Sequence, residues 1–158
     1  MKKFILLLLL VILSLCLSGC GAKETSAPHA FQDLTIRIPT DYIDLSGEAF
    51  AEGLDFVFAL DPVTINGLRE AKETFTAYGL ELDLQTYGEL LMESNHVRSQ
   101  LDQKNGIWHF SYTSGDFTYV VTLWETEEAF WTVQAYCPTA DYDSVSDDIW
   151  EILSSVTV

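Results

Sequence analysis

Asp102, His109 and Ser111 are the side chains whose types and spacing come nearest to a catalytic relay in this 158-residue chain. A carboxylate beside an imidazole orients it as a base, and the base can activate a hydroxyl as a nucleophile. Asn105-Gly106 is a two-residue hairpin signal that sets Asp102 opposite His109. Ser111 is two residues further along the same strand, about 7 Å from His109. Neither a G-x-S-x-G elbow nor an evident oxyanion hole accompanies it. A hydrolase is therefore the least supported of the readings considered, and the chain is expected to be non-enzymatic.

Cys137 with His96 or His109 is a second possibility, since a thiolate near an imidazole is a nucleophile. Its place on an apolar strand face just before Pro138 suits a small packed hydrophobe better. The acidic run DYDSVSDDIWE, Asp141 to Glu151, has the look of a calcium loop. Such a loop needs an oxygen ligand at its fifth position, glycine at its sixth and glutamate at its twelfth, where this chain has Val145, Ser146 and Ile152. Acids in the first turn of a helix complement its dipole and explain the run without a metal. Scattered histidines do not make a zinc set. No phosphate or dinucleotide glycine fingerprint is present, so no cofactor is expected.

The elements that would position these residues follow from periodicity. Asp33 to Ile38 alternates and reads as a strand. Asp55 to Leu60 and Val63 to Arg69 read as two strands joined at Asp61-Pro62, with Asn66-Gly67 a competing turn. Leu84, Tyr87, Leu90 and Leu91 share a helical face behind Asp83, a good N-cap, which predicts a helix to Ser94. Strands are predicted at Val97 to Gln103, Ile107 to Thr113, Phe117 to Trp124 and Phe130 to Cys137, the middle turn falling at Ser114-Gly115. Val145, Ile149, Ile152 and Leu153 trace a last helix capped near Asp141 or Asp143, before Val156 to Val158. Grouped strands with segregated helices argue an α+β domain with a mainly antiparallel sheet and two principal helices.

Hairpin register then divides the sheet. With a two-residue loop at Ser114-Gly115, His109 faces Val120, and Leu101, Trp108, Phe110, Tyr112, Phe117, Tyr119, Val121 and Leu123 form the core face. If the Glu125 to Glu128 loop has odd length, Trp131, Val133, Ala135 and Cys137 join that core. The opposite, candidate binding face then collects Asp102, His109, Ser111, Thr118, Thr122, Thr132, Gln134 and Tyr136, with Trp124 at its edge. A one-residue slip would reverse these assignments.

The N-terminus decides where such a face would work. Lys2 and Lys3 precede an apolar run from Phe4 to Leu17, interrupted only by Ser14, that reaches about 21 Å as a helix, short of the roughly 30 Å hydrocarbon core. Residues 1–19 thus read as a signal peptide. Leu17-Ser18-Gly19-Cys20 resembles the lipobox of bacterial lipoproteins, which implies cleavage before Cys20 and a diacylglyceryl thioether on its sulfur. Two acyl chains anchor stably where one does not. Residues 20–30 are expected to form the lipidated end and a flexible tether, and 31–158 a single domain. Cys16 leaves with the signal and Cys20 takes the lipid, so Cys137 has no disulfide partner. Of 8 basic residues, losing Lys2 and Lys3 leaves 6 against 24 acidic ones, a formal charge of −18 that repels nucleic acid and anionic headgroups.

Ile38-Pro39 followed by Tyr42, the helix LDLQTYGELLMESN (Leu82 to Asn95), AFWTVQAYC (Ala129 to Cys137) and WEILSSVTV (Trp150 to Val158) together resemble a PsbP-like lipoprotein domain. The resemblance implies an α/β/α sandwich, in a superfamily that includes photosystem II extrinsic subunits and a Ran-GTPase-binding factor, proteins that dock to other proteins. No functional residue is carried over from it. The expectation is a lipoprotein on the outer face of the bacterial cell membrane, Gram-positive in type, whose partner is a protein or ligand. A small solute- or metal-binding lipoprotein is the alternative. Cys20→Ala should shift the protein from the membrane pellet to the soluble fraction and abolish the diacylglyceryl mass on the mature N-terminus.

Overall fold

The computed structural model describes residues 25–48 and 51–158, so the signal segment, Cys20 and the first residues of the expected tether lie outside it. In chain order the described elements are β1 (Ser26–Phe31), β2 (Leu34–Pro39), β3 (Ile43–Asp44), β4 (Phe56–Leu60) and β5 (Val63–Ala71). Then come α1 (Lys72–Ala77), α2 (Leu84–Ser94), β6 (Asp102–Lys104), β7 (Ile107–Ser114), β8 (Phe117–Glu125), β9 (Ala129–Pro138) and α3 (Tyr142–Ser154). Seven strands form one antiparallel sheet in the order β3-β4-β5-β9-β8-β7-β6, and β1 and β2 form a separate hairpin.

The meander β6 to β9 and both principal helices stand where periodicity placed them. Asp83 accepts the backbone N–H of Thr86 at 2.7 Å as the cap of α2. Leu60 pairs with Val63, so the chain reverses at Asp61-Pro62, a cis peptide. Gly67 lies inside β5 and not in a turn, paired with Phe56, whose ring occupies the space a Cβ would need. Two expectations fail here. The tether does not reach Ala30, since Ser26 to Phe31 is the strand β1, paired with β2 throughout. Its apolar content is carried by His29 and Phe31, whose rings pack on Phe58 at 4.7 Å and on Phe56 at 4.4 Å. The strand expected from Val97 shortens to β6, because Val97 and Leu101 turn inward under α2. The short helix α1 went unread between β5 and α2.

Both sheet faces are covered, which gives two cores. On one side α3 and the β1–β2 hairpin bury Leu34, Ile36, Ile38, Ile149, Ile152 and Leu153 against Phe56, Phe58, Val120, Trp131 and Val133. On the other, α1 and α2 bring Phe75, Tyr87 and Met92 onto Phe110, Val121, Leu123 and Phe130. Gly88 lets α2 lie close to β8, since a Cβ there would come within 2.5 Å of Leu123.

The β1–β2 turn is tied to the sheet by one carboxylate. Asp33 accepts from Arg69 Nε at 3.1 Å and Nη2 at 3.2 Å, from Thr126 Oγ1 at 2.7 Å and from Trp131 Nε1 at 2.7 Å. The Arg69 guanidinium above all, helped by the Thr126 and Trp131 bonds and opposed by burial, holds its carboxyl well below the usual carboxylate range. That depressed folded-state value makes its contribution complete above the unfolded value near 4, and lost as pH falls through the folded one. Asp33→Asn should cost about 2 kcal/mol at pH 7, discounted because the side chain is 31% exposed. It should also flatten the loss of stability between about pH 4 and pH 2, as urea midpoints across that range would show.

Candidate functional site

Register rearranges the expected binding face. Asp102 is opposite His109 as expected. The β7–β8 turn is Gly115-Asp116, with Ser114 opposite Phe117, so His109 faces Thr122 and not Val120. That two-residue shift leaves every side chain on its expected face, because the strand period is two. The β8–β9 connection does the reverse. Glu125 pairs with Phe130, which encloses the even run Thr126 to Ala129, so every side chain of β9 lies on the face opposite to the expected one.

Asp102, His109, Ser111, Thr118, Thr122 and Trp124 therefore share the α3 face with Trp131, Val133, Ala135 and Cys137, while Thr132, Gln134 and Tyr136 face α1 and α2. The nine residues do not form one surface. Thr122 is fully buried, donating to the Val133 carbonyl at 3.2 Å and accepting from Trp124 Nε1 at 3.1 Å. Thr118 is buried and bonded to Thr139 at 3.0 Å. Across the sheet, Thr132 meets the Tyr87 hydroxyl at 2.8 Å, and that hydroxyl donates to Glu70 at 2.6 Å.

Trp150 of α3, which sequence reading did not connect to the site, packs against His109. Its ring meets the imidazole edge-on at 4.9 Å, and Lys104 Nζ lies 4.0 Å from the centroid of the same indole. Burial lowers the His109 pKa, the Asp102 charge partly restores it and Lys104 lowers it again. Among the described residues no hydrogen bond joins His109 to Asp102 or Ser111, so the three do not make a relay. Lys104 was legible as a neighbour, two residues beyond Asp102 on one strand face. Cys137 is buried and its thiol pKa raised, by burial first and then by Asp141. It shares a row with Thr118, four residues and about 13 Å along the strands from the row of His109. No group of three or more metal-ligating side chains is assembled among the described residues.

What sequence reading missed is an aromatic row. Tyr112, packed at the margin of the α2 core, stacks with Tyr119 and Tyr136 across β7, β8 and β9, with centroids 4.8 Å and 5.3 Å apart. Phe117 meets Tyr136 at 6.0 Å and is 40% exposed. The Tyr112 hydroxyl reaches Gln134 Oε1 at 3.4 Å. Rings stacked on one another engage their faces mutually and leave their edges for other contacts. Only the reversed β9 puts Tyr136 in this row, which is why the ladder could not be read from the expected register.

Two cavities lie among the described residues. One of about 480 Å³ lies beside Thr25 and Ser26, where β1 begins, with Arg37, Tyr42, Asp148 and Ile152 in its wall. Arg37 Nη2 donates to the Ser26 carbonyl at 3.1 Å. Burial, then the Asp41 and Asp148 charges, pushes the Tyr42 pKa up to about 12. The other, of about 470 Å³, lies between residues 95–99 and the outer edge of β7.

This architecture is a PsbP-like fold, an α/β/α arrangement around a mainly antiparallel sheet. The solution structure of cyanobacterial PsbP from Synechocystis sp. PCC 6803 is similar with a TM-score of 0.55 at 10% identity, covering 89% of this chain and 97% of that one. A crystal structure from Bacteroides thetaiotaomicron VPI-5482 is similar with a TM-score of 0.53 at 8% identity, covering 85% of this chain and 48% of that one. No family model matches the sequence, and no curated protein matches it. Removing the indole in Trp150→Ala should expose His109 and raise its pKa toward the ordinary 6.5, which an NMR titration of the imidazole measures.

Proposed function

We propose that the protein is a non-enzymatic docking module, tied by a diacylglyceryl group on Cys20 to the outer face of the bacterial cell membrane, that binds another protein. The observation that carries the docking reading is the tyrosine ladder with exposed Phe117 at its end, a half-buried aromatic row running out from the margin of the α2 core. Large aromatic side chains with a polar handle dominate the energetics of protein interfaces. Sugar-binding platforms present ring faces; here the faces are occupied by neighbouring rings, and the remaining edges suit polypeptide. The His109 ring, packed on Trp150 and unbonded to Asp102 and Ser111, supports the non-enzymatic part. The lipobox at Cys20 supports the anchor.

A second reading, a small-solute carrier, is favoured by the cavity beside Arg37, large enough for a compact ligand. Crosslinking of the anchored protein in its own membrane separates the two. One partner band should form reproducibly and be reduced at least tenfold by Phe117→Asp, with the melting temperature unchanged. A band indifferent to Phe117→Asp would sink the docking reading.

A further inference from the structure

The outer edge of β7 is half covered. β6 pairs only with Ile107 to His109, while β7 runs on to Ser114. Ser114 and Phe117 close a two-residue hairpin and so exchange both backbone bonds. Alternation then turns the N–H and C=O of Phe110, Tyr112 and Ser114 toward β8, and those of Ile107, His109, Ser111 and Thr113 toward the β6 side. The first two of that second set are met by β6. Ser111 and Thr113 have no β6 residue opposite them, and no other described backbone hydrogen bond reaches them.

The chain does not close this gap. Leaving α2, it passes along residues 95–99 on the far side of the cavity of about 470 Å³ and joins the sheet only at Asp102. The cavity wall contains no carboxylate, although the chain carries 24 acidic residues. It does contain Arg98. The other described basic side chains are engaged: Arg69 with Asp33, Lys72 with Glu125, Lys104 with Trp150, Arg37 with Ser26. Arg98 has no partner among the described residues.

The geometry points to a peptide-binding groove in which an extended C-terminal segment of a partner protein adds a strand beside Ser111 and Thr113 and sets its terminal carboxylate against Arg98. Alternating donors and acceptors along the edge match a polypeptide backbone, which offers both, and not a simple anion, which offers acceptors only. A chain end fits because β6 blocks the strand line at Asp102. A carboxylate fits because Arg98 is an unpaired cation in a wall free of acids, and charge-assisted bonds are the strong ones. Tyr112 lines the cavity and also stands in the ladder, so the groove continues the docking surface of the preceding section, on which this inference rests.

The test uses the full lipidated chain in detergent micelles and a fluorescein-labelled hexapeptide of alternating valine and threonine, as the free acid and as the C-terminal amide. The acid should bind at least tenfold tighter than the amide, and Arg98→Gln should remove that difference without weakening the amide. Hydrogen exchange at Ser111 and Thr113 should slow when the acid form is bound. Thr113→Pro deletes an edge N–H at a place where proline is tolerated and should weaken both forms, its fold checked by an unchanged melting temperature. Equal binding of acid and amide, or unchanged exchange at Ser111 and Thr113, overturns the groove. If the peptide fails while Phe117→Asp still abolishes the partner crosslink, the groove falls and docking stands. If the peptide binds and the crosslink ignores Phe117, the docking reading falls instead.

Discussion

Asp33 is the joint on which the two sheets of this protein depend. The β1–β2 hairpin shares no backbone ladder with the seven-stranded sheet, so its position over the larger core is set by side chains. One carboxylate gathers donors from β5, from β9 and from the β8–β9 connection. Trp131 is fully buried, and its indole N–H would be costly to leave unbonded. A second tie runs along β2, where Arg37 donates its backbone N–H to Ser155 Oγ and Thr35 bridges to Thr157. Between them the hairpin is pinned at its turn and along its free side.

That pinning explains why polar side chains in the middle of the sheet are turned to the protein's own groups. With the hairpin and α3 laid over one face and α1 and α2 over the other, Thr118, Thr122 and Thr132 bond inward to neighbouring strands or to Tyr87. Burying a hydroxyl is tolerable only with such partners. Where a covering layer ends, at the tyrosine ladder and at the unpaired part of β7, side chains and backbone groups stay open to solvent.

The legible part of the fold was what local chemistry decides. Asn105-Gly106, the Asp83 cap and the alternation of β2, β7 and β8 follow from turn geometry and side-chain period. The register of β9 was not local. Thr126 donates its hydroxyl to Asp33, 93 positions away in sequence, accepts the Ala129 N–H on the same oxygen and gives its backbone N–H to the Ala129 carbonyl, which holds that loop in its register. One parity error there dispersed the proposed face and hid Tyr136 from Tyr112 and Tyr119. β1 was hidden differently: Ser26 to Phe31 has little apolar content of its own and contains Pro28, which a strand with a single neighbour can accommodate. Trp150 could be read as helical but not as the residue beside His109, since that contact joins α3 to a strand far from it in sequence.

The early start of β1 would also limit how far an anchored domain could roam. An attachment at Cys20 would leave six peptide links before Ser26, a leash of about 21 Å at full stretch. The globule would then skim the bilayer, confined to a thin shell above the headgroups. Encounters would be nearly two-dimensional, favouring membrane residents whose tails protrude only a short distance and leaving freely diffusing targets at a disadvantage.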